Sequence, residues 1–516
     1  LRLDHYYCNI CKTSLHFRRY QFIFIFMLCS RRRCLQLLEK CRTLNQLHQA
    51  HSQLIISGFK DSSFALSRLV ALSAHSIRGN LLYAWKLFQR IQVSSTWICN
   101  ALIKVFLANG TRFFCYPFRI YSIMLREGIS PDPYTFSYLL QASRKMESIL
   151  LGESLHGSCR KFGLIPNNFV ANRLLSIYLE FGCLNSSRHL FDEILIGLSA
   201  DVVSWTLMIS GYAKLGDVEM AKSLFDLAPC KDLGVWGAMA SGYMQNNFSN
   251  ECLTLFPLMQ KKGVIPDEGI FSTMLSACAR LGALEAGAWI HRHLLKTELQ
   301  FHLKVQTALI DMYAKTGRLD IAKEIFERVL NKDVVCWNAM IFALAWHGDG
   351  DGARKLFAQM EENGCRPDDL TFLAVLTACS HSGLGHDGIR LIARMWSFYG
   401  VKLKSQHYGC VVELLGRMGL LKEAEETVRA MPSERSHLEE AVAWRALVDS
   451  CCDQGHVELA EYAANRSLEL DCESDAHVLL ANWFAAANKH GDADRVRGMM
   501  KDRGLKKSPG CSAIQG

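Results

Sequence analysis

Apolar residues along this chain recur at helical spacing in short bursts, each cut by a turn. In 303–333, Leu309, Ile310, Met312 and Tyr313 share a helical face, Thr316-Gly317 interrupts them, and Leu319, Ala322, Ile325 and Phe326 resume the period. The pattern predicts two helices joined tightly. A Lys-Asp or Pro-Asp pair closes such a block, placing its Asp to cap the next helix. The blocks repeat. MISGYAKLGDVEMAKSLF (208–225) aligns with LIDMYAKTGRLDIAKEIF (309–326), and MLSACARLGALEAGAWIH (274–291) with VLTACSHSGLGHDGIRLI (375–392), both at an offset of 101 residues. Trp236 aligns with Trp337, Phe271 with Phe372, and Pro266-Asp267 with Pro367-Asp368 at the same offset. This unit divides into 202–232, 233–267 and 268–302, of 31, 35 and 35 residues. One helix pair cannot bury its apolar face alone, whereas stacked pairs can. The expected fold is all-α, an α-solenoid of stacked antiparallel helix-turn-helix repeats.

Composition narrows what such an array can do. Half of the 516 residues are apolar and 21% are charged, which suits a folding chain and not a disordered one. No apolar run reaches the roughly 18 residues of a membrane span, so no membrane partner is expected. The longest candidate, YQFIFIFML (20–28), is followed by Arg31, Arg32 and Arg33. The 20 cysteines lack paired spacing and read as small buried hydrophobes in a reducing compartment. The net charge of +8 is concentrated: residues 1–33 hold seven Lys/Arg against Asp4 alone, and the remainder holds 51 basic and 49 acidic residues. A nearly neutral body does not suit binding dominated by phosphate contacts. Any nucleic-acid reading must therefore rest on base contacts. The basic, acid-poor start resembles an organelle transit peptide. Residues 1–27 are read as a basic leader, either a transit or a non-native segment, with Met27 a candidate start.

The blocks resemble the pentatricopeptide repeat family. The resemblance is carried by the entry to the first helix (Trp205-Thr206, Trp337-Asn338, Phe271-Ser272), by the GYAKxGxxxxAxxLF core, and by the Pro-Asp exit. Mixed block lengths point to the plant PLS subfamily, in which standard, long and short motifs alternate. The array is parsed as 28–62, 63–95, 96–132, 133–167, 168–201, 202–232, 233–267, 268–302, 303–333, 334–368, 369–404 and 405–440. Residues 441–476 and 477–514 resemble the family's C-terminal E (extension) motifs, which are tetratricopeptide-like helix pairs. A DYW deaminase domain is not found in the sequence. The resemblance implies a right-handed superhelix.

It also implies a way of reading RNA, one base per repeat, through two or three side chains. The fifth residue of a motif lies in the first turn of its first helix, and the last residue precedes the next helix. Asn both donates and accepts, Thr and Ser offer a hydroxyl, and Asp only accepts, so amino and keto bases can be told apart. Carried over position by position, the family's preferences give U for Asn100 with Asp132, A for Ser137 with Asn167, and U for Asn172 with Asp201. They give G for Thr206 with Asp232, G for Thr307 with Asp333, and U for Asn338 with Asp368. Gly237 with Asp267 departs from the pattern, because glycine has no side chain to read with. Ser272 with His302, Leu373 with Lys404, and Ser67 with Ser95 are uninformative. The implied target is 5′-UAUG-N-N-GU-N-N, then three nucleotides, then an edited cytidine. Helix capping is the competing explanation of each Asn, Thr, Ser and Asp, but the recurrence of an Asn/Thr–Asp pair favours base reading. Trp205, Trp236 and Trp337 fall in phase with core residues and read as packing rather than stacking platforms.

Enzyme motifs fail on context. A base deaminase needs His-x-Glu with Pro-Cys-x-x-Cys. His437-Leu438-Glu439 and His456-Val457-Glu458 are present, but Pro-Cys-x-x-Cys is not. The Cys8/Cys11 pair has no second Cys/His pair at zinc-finger spacing. Residues 383–388 fit G-x-G-x-x-G formally, yet a helix and not a strand is predicted before them. No cofactor, metal or catalytic residue is expected. The resemblance implies a non-enzymatic factor binding single-stranded organelle RNA, specifying C-to-U editing and recruiting a deaminase in trans through 441–514. Mitochondrion is the expected compartment and chloroplast the alternative. A factor for organelle splicing, stability or translation is the second reading. A tetratricopeptide-like protein scaffold is the third, and it predicts a uniform 34-residue period.

Overall fold

The computed structural model describes residues 44–56, 69–70, 73, 81–89, 95–109, 113–197, 200–431, 437–470, 475–486 and 489–502. The leader 1–27, the Cys8/Cys11 pair and Ser67 lie outside the described residues, as do the side chains of His437 to Glu439. Among the described residues there are 26 α-helices, one short 3₁₀ turn and no strand.

The chain divides into two compact units, Leu1–Asn246 and Asn247–Gly516. In the first, helix pairs follow one another as Thr96–Ala108 with Tyr116–Arg126, Pro133–Lys145 with Ile149–Lys161, Asn168–Glu180 with Leu184–Gly197, and Val202–Lys214 with Val218–Leu227. Leu233–Gln245 ends that unit. The second unit begins with Ser249–Lys261 and continues as Glu268–Leu281 with Leu284–Leu294, Leu303–Lys315 with Leu319–Arg328, Val334–Trp346 with Gly350–Glu362, Asp369–His381 with Gly385–Ser397, and Ser405–Arg417 with Leu421–Arg429. His437–Gln454 with Val457–Leu470 and Asp475–Ala486 with His490–Asp502 complete it.

Within each unit the pairs form two layers. First helices pack along the first helix of the next repeat, as Asn168–Glu180 does on Val202–Lys214. Second helices pack on their own partner and on the following first helix, as Leu319–Arg328 does on Leu303–Lys315 and Val334–Trp346. Two sequence features set this arrangement. The turn between paired helices needs a left-handed residue, supplied by Gly216 (φ 90°) and Gly317 (φ 85°) and, at the matching position, by Glu147 (φ 51°). Three of the junctions are then sealed by a Phe–Trp pair. Phe191 meets Trp205 edge-on with ring centroids 5.0 Å apart, Phe225 meets Trp236 at 4.8 Å, and Phe326 meets Trp337 at 5.1 Å. Trp205, Trp236 and Trp337 are all buried, as the sequence pattern predicted.

The Gly-x-Gly-x-x-Gly segment is packing, not a phosphate loop. The helix Asp369–His381 precedes it, and a Cβ on Gly388 would lie 2.2 Å from Leu414 Cδ1. Eight of the described cysteines are buried, as the sequence reading expected, while Cys115 and Cys230 are exposed and Cys183, Cys365 and Cys410 half-buried; burial pushes the Cys99, Cys159, Cys252 and Cys278 thiols up to about 12. No described helix is long and apolar enough to cross a membrane.

Close approach of first helices gives a stability test. A Cβ at Gly242 would lie 2.6 Å from Ala213 Cβ, whereas nothing lies within 4 Å of one at exposed Gly157. Gly242→Ala should destabilise by about 1–3 kcal/mol through overpacking. Gly157→Ala should stabilise by about 0.5–1 kcal/mol, from helix propensity alone. Melting curves of the two variants should move in opposite directions.

Candidate functional site

Aspartates before the first helices are all N-caps. Asp132, Asp201, Asp232, Asp267, Asp333 and Asp368 each accept a backbone N–H from the third helical residue, at 2.7, 2.8, 2.9, 2.8, 2.9 and 2.8 Å respectively. Asn167 does the same for Phe169 and Val170, at 3.0 and 3.3 Å. Such caps contribute about 1 kcal/mol each. Capping anchors the carboxylate, and an anchored carboxylate still has lone pairs to offer.

Three of these aspartates are bridged to the preceding repeat. Asn100 Nδ2 donates to both carboxylate oxygens of Asp132, at 2.9 and 3.0 Å. Asn172 Nδ2 reaches both oxygens of Asp201, at 3.1 Å each. Asn338 Nδ2 donates to Asp368 Oδ1 at 3.0 Å. The partners lie about thirty residues apart and meet only because first helices stack. The sequence reading assigned the fifth and last residues to one base; here their amide and carboxylate are also bonded to each other. Asn338 is 6% exposed, while Asn100, Asn172, Asp132, Asp201 and Asp368 are half-buried.

The other pairs differ. Thr206 Oγ1 donates to the Val202 carbonyl of its own helix at 2.8 Å. Thr307 lies against the Cys336 thiol. No hydrogen bond joins Thr206 to Asp232, Thr307 to Asp333, or Ser137 to Asn167. Asp232, Asp267, Asp333 and Asn167 are exposed, and Ser137 is buried. Gly237 presents no side chain.

One set of residues escaped the sequence reading. The second residue of many blocks is apolar and exposed: Trp97, Tyr134, Phe169, Val203, Val335 and Leu370 are 43–61% exposed. Each lies two residues after an N-cap position, in the first turn of a first helix. The Tyr134 and Phe169 rings approach to 5.8 Å, and Arg173 lies 5.7 Å over Phe169. Their signal was an apolar residue out of phase with the core, recurring at one block position.

The electrostatics of one pair are resolved. Burial, the largest single influence, pushes the Asp201 carboxyl up, but hydrogen bonds to it, led by the Ser204 N–H and the Asn172 amide, together outweigh it and hold the group below the usual carboxylate range. Among the described residues no cluster of three His, Cys, Asp or Glu is placed to hold a metal ion.

A stack of helix pairs carrying a ladder of polar pairs along its first-helix layer defines a class, the helical repeat protein. Comparison makes the class specific. A model described as "PPR repeat" matches residues 203–232, 234–264 and 307–334, "PPR repeat family" matches 332–381, and "E motif" matches 455–515. Pentatricopeptide repeat-containing protein At2g22410, mitochondrial, of Arabidopsis thaliana is 36% identical, over 93% of this chain and 85% of the relative. At5g43790 of the same plant is 33% identical over 93% and 98% of the two chains. At1g08070, chloroplastic, is 32% identical over 93% and 78%. The chain belongs to the pentatricopeptide repeat family. Its fold is similar to that of PPR10 crystallised with an 18-nt psaJ RNA element, with a TM-score of 0.60 at 16% identity, covering 89% of this chain and 72% of that one. The all-α stack of helix pairs expected from the sequence is thus the fold class observed.

The Asp201 shift predicts an acid response. A carboxyl with its folded pKa below the unfolded one stabilises fully above the unfolded value, and that stabilisation is lost as pH falls through the folded value. Asp201→Asn should therefore melt below the wild type at neutral pH, and the gap should close as the solution is acidified through the carboxylate range. A gap independent of pH would contradict this.

Proposed function

We propose that this protein is a sequence-specific, single-stranded RNA-binding factor of a plant organelle, not itself an enzyme. In this reading the array 28–440 reads bases and the extension 441–514 recruits a deaminase in trans for C-to-U editing. The observation that carries it is the recurrence of an Asn–Asp pair at one place in the junction between first helices, twice in the first unit and once in the second, with exposed Trp97, Tyr134, Phe169 and Val203 in the first turns of first helices in the one and Val335 and Leu370 in the other. An aromatic or aliphatic side chain on either side of a base, with polar edges between, matches how unpaired nucleotides are held. Asn100, Asp132, Ser137, Asn167, Asn172, Asp201, Thr206, Asp232, Asp267, Thr307, Asp333, Asn338 and Asp368 are the proposed contact residues.

The compartment is proposed as the mitochondrion, with the chloroplast as alternative; relatives carry either word in their names. Editing is separated from splicing, stability or translation by the transcripts of a plant lacking the protein. Loss of editing at one or a few cytidines downstream of the 5′-UAUG-N-N-GU-N-N pattern supports the first role. Intact editing with altered introns or transcript ends would replace it with the second. A protein that binds no single-stranded RNA at all would favour a scaffold.

Base reading has its own test. Thr206→Asn should weaken binding to RNA carrying G opposite that repeat and improve binding when a pyrimidine stands there, by about 1–3 kcal/mol per matched position, the scale of single-base mismatches. Gel-shift titration with four oligonucleotides differing at that nucleotide measures it; equal affinities for all four would remove the base assignment.

A further inference from the structure

Each Asn–Asp bridge contains a third member. Thr135 Oγ1 lies 2.7 Å from Asn100 Oδ1, Ser204 Oγ lies 2.6 Å from Asn172 Oδ1, and Thr371 Oγ1 lies 2.6 Å from Asn338 Oδ1. All three hydroxyl residues are fully buried and occupy the third position of the following first helix. The same hydroxyls lie 3.0, 2.8 and 2.9 Å from Oδ1 of the capping aspartate. A hydroxyl has one proton, and an amide oxygen and a carboxylate oxygen both only accept. The shorter contact in every case is to the amide oxygen.

Thr135 and Thr371 also accept the backbone N–H of Asp132 and Asp368, at 3.2 and 3.1 Å, and so close a capping box, whereas Ser204 makes no such bond to Asp201; what the three hydroxyls share is the asparagine. At the third position, Thr135, Ser204 and Thr371 follow repeats whose fifth residue is Asn. Val170, Val235, Ile270, Val305, Cys336 and His407 follow repeats whose fifth residue is Ser137, Thr206, Gly237, Ser272, Thr307 and Leu373. The aspartate cap forms equally well over Val235, Ile270 and Cys336, at 2.8–2.9 Å. The carboxylate cap therefore does not need the hydroxyl, whose occurrence follows the asparagine.

We infer that Thr135, Ser204 and Thr371 are specificity-determining positioning residues: each fixes the amide orientation of the asparagine in the preceding repeat. With the amide oxygen held by the hydroxyl and one amide N–H held by the carboxylate, the remaining N–H is what the asparagine presents to a base. It favours a base with a keto oxygen at that edge, as uracil has. Turned over, the amide would set its oxygen against the carboxylate oxygen, two acceptors facing each other. A valine at the third position leaves the amide oriented by the carboxylate alone, with its oxygen unheld. This inference rests on the base-reading proposal above and adds to it the residue that sets the choice.

The test uses the whole chain and four oligonucleotides of the sequence 5′-UAUGAAGUAA-3′, differing only at the U opposite Asn338. Thr371→Val, which keeps shape and removes the hydroxyl, should lose about tenfold in the preference for U over the other bases at that nucleotide, the worth of about one hydrogen bond. Affinity differences at other nucleotides should be unchanged, and Thr371→Ser should restore the preference. A second variant avoids dependence on the folding of the first. Thr206→Asn with Val235→Thr builds the triad where none exists, and should prefer U more strongly than Thr206→Asn alone. If wild-type preference for U survives in Thr371→Val, or if Val235→Thr adds nothing, the inference is wrong while base reading stands. A wild-type protein indifferent to that nucleotide overturns both.

Discussion

Everything in this molecule depends on one contact, the seating of each helix pair on the next. A pair leaves a large apolar face uncovered until its neighbour arrives. Phe191 on Trp205, Phe225 on Trp236 and Phe326 on Trp337 show how the face is closed, with an aromatic from a second helix set edge-on against the following first helix. Aromatics of this size bury roughly 150–250 Å² each, at about 25 cal/mol per Å² of apolar area. Small residues let the first helices approach further, as at Gly211 against Leu179 and Gly242 against Ala213. The same approach brings the start of one first helix beside the first turn of the previous one. The polar ladder is a by-product of core packing.

That origin explains why capping and recognition do not compete. An aspartate ahead of a helix satisfies a backbone N–H that would otherwise have no intrahelical partner. Once fixed, its carboxylate sits at a reproducible place relative to the fifth residue of the repeat before. Where that residue is Asn100, Asn172 or Asn338, the two lock together; where it is Thr206, the hydroxyl turns to its own helix at Val202. One backbone requirement thus supplies a regular platform, and single side chains vary what the platform presents. A nearly neutral body, with charge gathered in residues 1–33, fits the proposed function, in which selectivity would come from edges of bases rather than from phosphate attraction.

Much of this was legible in the chain. The 101-residue offset, the 3.6-residue period, the glycine at most turns and the Asp before six of the first helices are local signals, because hairpin formation is a local matter. Trp205, Trp236 and Trp337 read as core for the same reason: their phase matched the apolar stripe. Exposed Trp97, Tyr134 and Phe169 were missed, because an apolar residue in an apolar-rich chain looks like core unless its facing is known.

The order of residues by itself determined that this chain makes helix pairs, how long each is, where they turn, and which polar residues recur at their starts. Only the tertiary structure decided that Asn338 is bonded to Asp368 and to Thr371, residues 30 and 33 positions away. A hydrogen bond between separate repeats is made or lost over a few tenths of an ångström of helix offset. That offset is set by how whole helices pack, and no short stretch of sequence contains it.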